Sequence, residues 1–158
     1  VIAIVRGTGG GRGLLLNAHL DTVGAGGMPD PFMPRIEGNL LYGRGAHDMK
    51  GSLAAIMLVG AAARSRAWRG DLVLTAVVDE EFASIGTAAV AANAELMSRV
   101  QGAVVTEPTG LDITIVHNGF VWLEIETRGV AAHGSRPDLG VDAIARMAPS
   151  ISVFMVEW

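Results

Sequence analysis

Residues 71–78, D-L-V-L-T-A-V-V, run straight into D-E-E, and this junction limits the folds open to the chain more than any other stretch. A run that is apolar at successive positions belongs to a strand covered on both faces, as the central strands of α/β sheets are. Asp79, Glu80 and Glu81 follow where that buried strand should end. Three adjacent acids there repel one another and lose solvation, so a cation is expected beside them. The alternative is a solvated acidic turn.

Two further apolar runs end in the same way. Residues 13–20, G-L-L-L-N-A-H-L, continue into D-T-V, and residues 102–106, G-A-V-V-T, continue into Glu107 and Pro108, where the proline stops a strand ladder. His19 and Asp21 are two apart and share one face of a strand. The carboxylate can then hold the far ring nitrogen of a metal-bound imidazole; the plainer reading is a surface histidine beside a solvated aspartate. Residues 1–5, V-I-A-I-V, also read as a strand, joined to the next by a glycine-rich hairpin turn. The intervening G-T-G-G-G-R-G has no G-x-G-x-x-G register and precedes a strand, which argues against a dinucleotide loop.

Residues 24–43 hold three prolines and five glycines and are expected to form a long surface loop, of the kind that usually carries function. The loop leads into G-R-G-A-H-D-M-K-G-S-L, which places Asp48 just ahead of an apolar helix over about residues 51–65. Asp48 is either the cap of that helix or a metal ligand. A second helix is expected over about residues 87–99. Strands that end in acids, with helices between them, predict an α/β fold with a mixed or mostly parallel sheet flanked by helices. Its ligand site lies beyond the carboxyl ends of the strands. That placement brings His19, Asp48, Glu80, Glu81 and Glu107 to one edge.

The pattern changes after residue 112. Val121, Leu123 and Ile125 alternate with polar residues, so a strand with one wet face is expected. His133 follows on a loop, and then a helix over about residues 140–156, which Pro149 should kink or end. A boundary near residues 110–116 divides the chain into residues 1–112 and residues 113–158, the latter the start of an α+β domain.

A chain that is half apolar and only 18% charged is not a disordered one. Its net charge of −4 argues against a nucleic-acid partner. With no cysteine, any metal must be held by His, Asp and Glu. No apolar run reaches the roughly 18 residues of a membrane span, so no membrane partner is expected. The sequence begins without Met inside a strand pattern and stops inside a helical one, so it is expected to be part of a longer protein. A cytoplasmic location is expected, with a leader peptide left open by the missing start.

A pair of divalent ions sharing a carboxylate would suit this donor set, because oxygen ligands with imidazole bind zinc, and also cobalt or manganese. One acid of the Glu80–Glu81 pair could then bind metal while the other moves a proton. The motifs H-L-D-T-V, G-R-G-A-x-D-M-K-G, D-E-E-x-x-S-x-G, T-E-P-T and A-A-H-G-S-R-P occur in one order along the chain. Together they resemble the co-catalytic zinc amidohydrolase and peptidase family of acetylornithine deacetylase, succinyl-diaminopimelate desuccinylase, aminoacylase and glutamate carboxypeptidase. T-E-P-T and A-A-H-G-S-R-P most resemble its deacetylase and desuccinylase branch.

The resemblance implies that His19 and Glu107 bind the first of two zinc ions, that Asp21 orients His19, and that Asp48 bridges both ions ahead of a cis peptide to Met49. It implies Glu80 as general base, Glu81 as ligand of the second ion, and N-acyl amino acids or short peptides as substrates. Residues 113–158 would begin a lid that also dimerises, with His133 reaching the partner subunit's site to stabilise the oxyanion. A further histidine ligand and the rest of the lid would lie beyond Trp158, so this stretch alone would hold the first metal at best, with a weakened second site, which leaves its turnover alone open. His47 and His117 receive no role. Two rival readings are a non-catalytic metal-binding or dimerising relative and a nucleotide-binding α/β domain.

Overall fold

The computed structural model describes residues 1–119 and 121–154. They fall into two compact units, Val1–Thr114 and Ile115–Trp158. The first unit is α/β: a four-stranded sheet, parallel except at one edge, with helices on both faces. Its strands are β1 (Ile2–Val5), β2 (Leu14–His19), β5 (Leu72–Val77) and β6 (Gly102–Val105), in the order β1-β5-β2-β6. β2 runs parallel to both β5 and β6, so their carboxyl ends share one edge; β1 is antiparallel to β5.

The hairpin expected between residues 1–5 and 13–20 does not form, because β5 lies between the two strands. Val5 pairs with Leu72, nearly seventy residues on, and the glycine segment crosses over the start of β5 instead of turning back. Its backbone is tied down there: the N–H groups of Gly7, Thr8 and Gly9 donate to Asp71 Oδ1, Trp68 O and Arg69 O at 2.9, 2.7 and 3.0 Å. Those donors are therefore not free to cradle a phosphate, contrary to the nucleotide-binding alternative.

Strand pleating sends alternate side chains to opposite faces, and each face buries its own cluster. Leu16, Ala18 and Leu72 pack with Ile56 and Ala63 of α1 (Gly51–Ala63) and with Met49. Leu15, Val73 and Val77 pack with Val90 of α2 (Ile85–Ala92) and Leu96 of α3 (Ala94–Met97). α1 lies close on the sheet through Gly60, where an added Cβ would stand 2.7 Å from Leu74 Cδ1. The sheet's polar interior is self-satisfied: Thr75 Oγ1 donates to its cross-strand neighbour Asn17 at 2.6 Å, and Thr106 N–H and Oγ1 both donate to Asn17 O at 3.1 Å. These bonds tie β5, β2 and the residue that follows β6 together near the carboxyl ends of the strands.

The single helix expected over residues 87–99 is broken at Asn93, whose extended backbone ends α2 and whose Oδ1 caps α3 by accepting from Leu96 N–H at 3.0 Å. An asparagine offers this local bond in place of helix continuation. The stretch at residues 24–43 is not wholly irregular either. It holds a hairpin of β3 (Arg35–Glu37) and β4 (Leu40–Tyr42), turned by Gly38 in the left-handed region at φ 60°.

Within the second unit, the described residues hold an isolated bridge between Val130 and Val141, a 3-10 turn at Pro137–Leu139, and α4 (Ala143–Phe154). The strand expected around Val121, Leu123 and Ile125 is absent among the described residues. A ladder needs a run of cross-strand N–H and C=O pairs; no strand includes these positions, and Val121 and Leu123 are exposed. Pro149 lies inside α4 and does not end it, although it removes one helical donor. Asp142 secures the helix start, its Oδ1 accepting from Ile144 and Ala145 N–H at 2.8 and 3.1 Å. The end expected near Val156 lies outside the described residues.

Candidate metal centre

The register of the parallel strands decides which residues meet. His19 pairs with Val77, and Asn17 with Val105, so the segments after β2, β5 and β6 leave the sheet side by side. Asp21 follows the first, Glu80 and Glu81 the second, Glu107 the third. Asp48 arrives separately, on the turn Ala46–Lys50 that precedes α1, where it and Met49 have non-helical backbone and are joined by a cis peptide. Asp48 is not the cap of α1: that position is Lys50, with no side-chain cap bond. Gly45 opens the turn at φ 79°, a left-handed conformation that glycine adopts without a Cβ penalty.

The site is built around His19, which is 1% exposed. Its Nδ1 lies 2.9 Å from the backbone carbonyl of Asp21, an obligate acceptor, so Nδ1 carries a proton. Nε2 then faces the acids: Asp48 Oδ1 at 3.0 Å, Glu80 Oε2 at 3.9 Å and Glu107 Oε2 at 4.0 Å. Donor atoms of His19, Asp48 and Glu81 all lie within 4.8 Å of one another, as do those of His19, Glu80 and Glu107. All five residues placed at this edge by sequence are thus together, and the adjacent Glu80 and Glu81 fall into different groups around the same ring. His133 lies in the second unit, where it is exposed.

Asp21 is placed differently from the sequence expectation. The carbonyl holds the ring, and the nearer carboxylate oxygen is 3.6 Å from Nδ1. Asp21 Oδ2 instead accepts the N–H of Glu81 at 3.1 Å, and Oδ1 is buried without a hydrogen-bond partner. Glu81 is fixed from a second side, its Oε1 accepting from Val23 N–H at 3.0 Å. Sequence reasoning also missed Met49, fully buried, whose sulfur lies 3.1 Å from the backbone nitrogen of His19. The available signal was that Met49 is the one large apolar residue in a polar, glycine-rich turn.

The electrostatics follow from this crowding. Burial by itself pulls His19 down, but the hydrogen bond to Asp48, the charges of Glu107 and Glu80 and the Asp21 carbonyl together raise it above the usual histidine value. Burial pushes Glu107 up, and the neighbouring charge of Glu80 adds to it, with His19 working the other way. Asp21 is lowered: burial opposes this, and hydrogen bonds from backbone N–H groups, chiefly that of Glu81, outweigh it. An imidazole with Nδ1 tied to a carbonyl and Nε2 turned to carboxylates fits a divalent cation, which would take the place of the Nε2 proton. Nitrogen with hard oxygen donors is a set suited to zinc, cobalt or manganese.

A buried imidazole among carboxylates, at the carboxyl ends of parallel strands, defines an α/β protein with a candidate cation site at its sheet edge. The chain belongs to peptidase family M20/M25/M40, which it matches over residues 15–153. It is 32% identical to a probable succinyl-diaminopimelate desuccinylase of Staphylococcus aureus (strain MSSA476), over 96% of this chain and 39% of the relative. It is 36% identical to an acetylornithine deacetylase of Yersinia pseudotuberculosis (serotype O:1b, strain IP 31758), over 92% of this chain and 38% of the relative. The chain thus spans under two fifths of the length of these relatives. Among the described residues, no helix is long and apolar enough to cross a membrane.

Proposed function

We propose that this sequence carries the larger part of the active site of a metal-dependent amidohydrolase, one that hydrolyses the amide bond of N-acyl amino acids or short peptides. The observation that carries the reading is the surroundings of His19 Nε2, with Asp48, Glu80 and Glu107 within 4.0 Å of a ring already oriented by a carbonyl. His19, Asp48, Glu81 and Glu107 would hold divalent ions, zinc above cobalt or manganese. Two such ions would supply Lewis acidity, polarising the substrate carbonyl and making a water easier to deprotonate.

The chain's own groups do the rest. Glu80, adjacent to the ligand Glu81 but grouped apart from it, accepts the proton of the attacking water. As the carbon–nitrogen bond breaks, it passes that proton to the departing amine. Asp21 and Met49 hold Glu81 and His19 in place. His133, from a second copy in a homodimer formed through the lid of residues 113–158, donates a hydrogen bond to the developing oxyanion. The named relatives support an N-acetyl or N-succinyl amino acid as substrate.

The test pairs metal content with one substitution in the full chain. Elemental analysis should find about two zinc or cobalt ions per subunit. Glu80→Gln should keep the metal while kcat on N-acyl amino acids falls by about 10²–10⁴-fold, the usual contribution of a general base. A variant that hydrolyses at the parental rate would remove Glu80 from the mechanism.

A further inference from the structure

We infer that Ser135 is a positioning residue that locks His133 into one tautomer, with its proton on Nε2. The backbone N–H of Ser135 lies 3.3 Å from His133 Nδ1, and its Oγ lies 3.0 Å from the same nitrogen. A backbone N–H can only donate, so Nδ1 must accept. A neutral imidazole has one proton, and with Nδ1 accepting it sits on Nε2. The hydroxyl adds a second donor to the same lone pair.

The surrounding turn is closed by further bonds. Arg136 N–H donates to His133 O at 2.8 Å, closing the turn, and the Arg136 guanidinium pairs with Asp138 at 2.7 Å. His133 forms part of the wall of a cavity of about 400 Å³, together with Pro137, Val141 and Asp142. Asp142 is engaged with the start of α4 through its Oδ1. The chemical consequence concerns which ligand atoms the ring can face. With the proton held on Nε2, the ring presents a donor to an anionic or carbonyl oxygen; the opposite tautomer would present a lone pair and repel it. Ser135 therefore selects for His133 a donor role and excludes that of a proton acceptor at Nε2. The value of this selection for turnover rests on the role proposed above for His133.

The experiment is ¹⁵N NMR of the imidazoles in histidine-labelled full chain, with the His133 signals identified by their loss in His133→Ala. The parent should show a protonated Nε2 and an unprotonated Nδ1. Ser135→Ala, which keeps the N–H, should retain a majority of that tautomer. Ser135→Pro, which removes both donors, should admit an Nδ1-protonated fraction that the parent lacks, and Ser135→Thr should match the parent. In kinetics, Ser135→Ala should lower kcat by no more than about 2-fold, in step with the share of the tautomer that it loses, with KM unchanged and with Ser135→Thr restoring it. A proton on Nδ1 in the parent, or a tautomer unmoved in Ser135→Pro, overturns the lock. If His133→Ala keeps the parental kcat, the assignment of His133 to the reaction falls instead, while the spectra still decide the lock.

Discussion

The carboxylate of Asp21 accepts the backbone N–H of Glu81 at 3.1 Å, while its other oxygen stands 3.6 Å from Nδ1 of His19. One side chain thus connects the segment after β2 to the segment after β5. The second bond in this connection runs the opposite way, from Val23 N–H to Glu81 Oε1 at 3.0 Å. Glu81 can approach a cation shared with His19 and Asp48 only while both loops keep their spacing. The ring of His19 does not depend on the carboxylate, because a backbone carbonyl holds Nδ1 at 2.9 Å.

Asp21→Asn and Asp21→Ala should therefore differ. Asparagine keeps an oxygen for the Glu81 N–H, and alanine does not. Zinc affinity, measured by competition with a chelator, should fall by about 10- to 100-fold in Asp21→Ala, the usual loss when a group supporting a ligand is removed. The fall in Asp21→Asn should be several-fold smaller. Equal losses would mean that the charge near His19, and not the bond to Glu81, is what Asp21 contributes.

Gly45→Ala tests the turn that delivers Asp48. The left-handed backbone at φ 79° costs an alanine about 1–2 kcal/mol. Its Cβ would also stand 2.6 Å from Thr22 Cγ2 and 3.2 Å from Lys50 Nζ. The expected outcome is a loss of roughly 1–3 kcal/mol in urea unfolding, accompanied by weaker zinc binding, since Lys50 N–H donates to Gly45 O at 2.8 Å across the turn. Unchanged stability would show that the turn can relax without cost.

What the sequence revealed and what it hid divide along physical lines. The runs around Leu15, Val73 and Val104 announced strands because they are apolar over most of their length, and the acids at their ends announced an edge because buried carboxylates need a partner. Pairing was not legible in the same way: Val5 lies against Leu72, and no local pattern encodes a partner that distant. The H-x-D spacing correctly put Asp21 beside His19. Spacing concerns side chains, however, and it was the Asp21 carbonyl that took the ring. The break at Asn93 and the hairpin around Gly38 depend on single capping and turning residues, which helical and loop composition averages away.

Asp71 supplies a pH test remote from the metal centre. Its Oδ1 accepts Gly7 N–H at 2.9 Å, and its Oδ2 lies 3.4 Å from Arg6 Nη1 and 3.3 Å from Arg99 Nη1. The Gly7 N–H, with Arg99 and Arg6, holds this carboxyl below the usual aspartate range. A carboxyl whose pKa is depressed on folding stabilises the fold above its unfolded value, about 3.9, and that stabilisation disappears as the pH falls through the folded value. Asp71→Asn, which keeps an acceptor for Gly7 but loses the charge, should thus lower the urea midpoint at neutral pH. The gap from the parent should narrow below about pH 4 and close in stronger acid. A gap of constant size down to about pH 2 would mean that Asp71 acts through packing and neutral hydrogen bonds, with its charge contributing nothing.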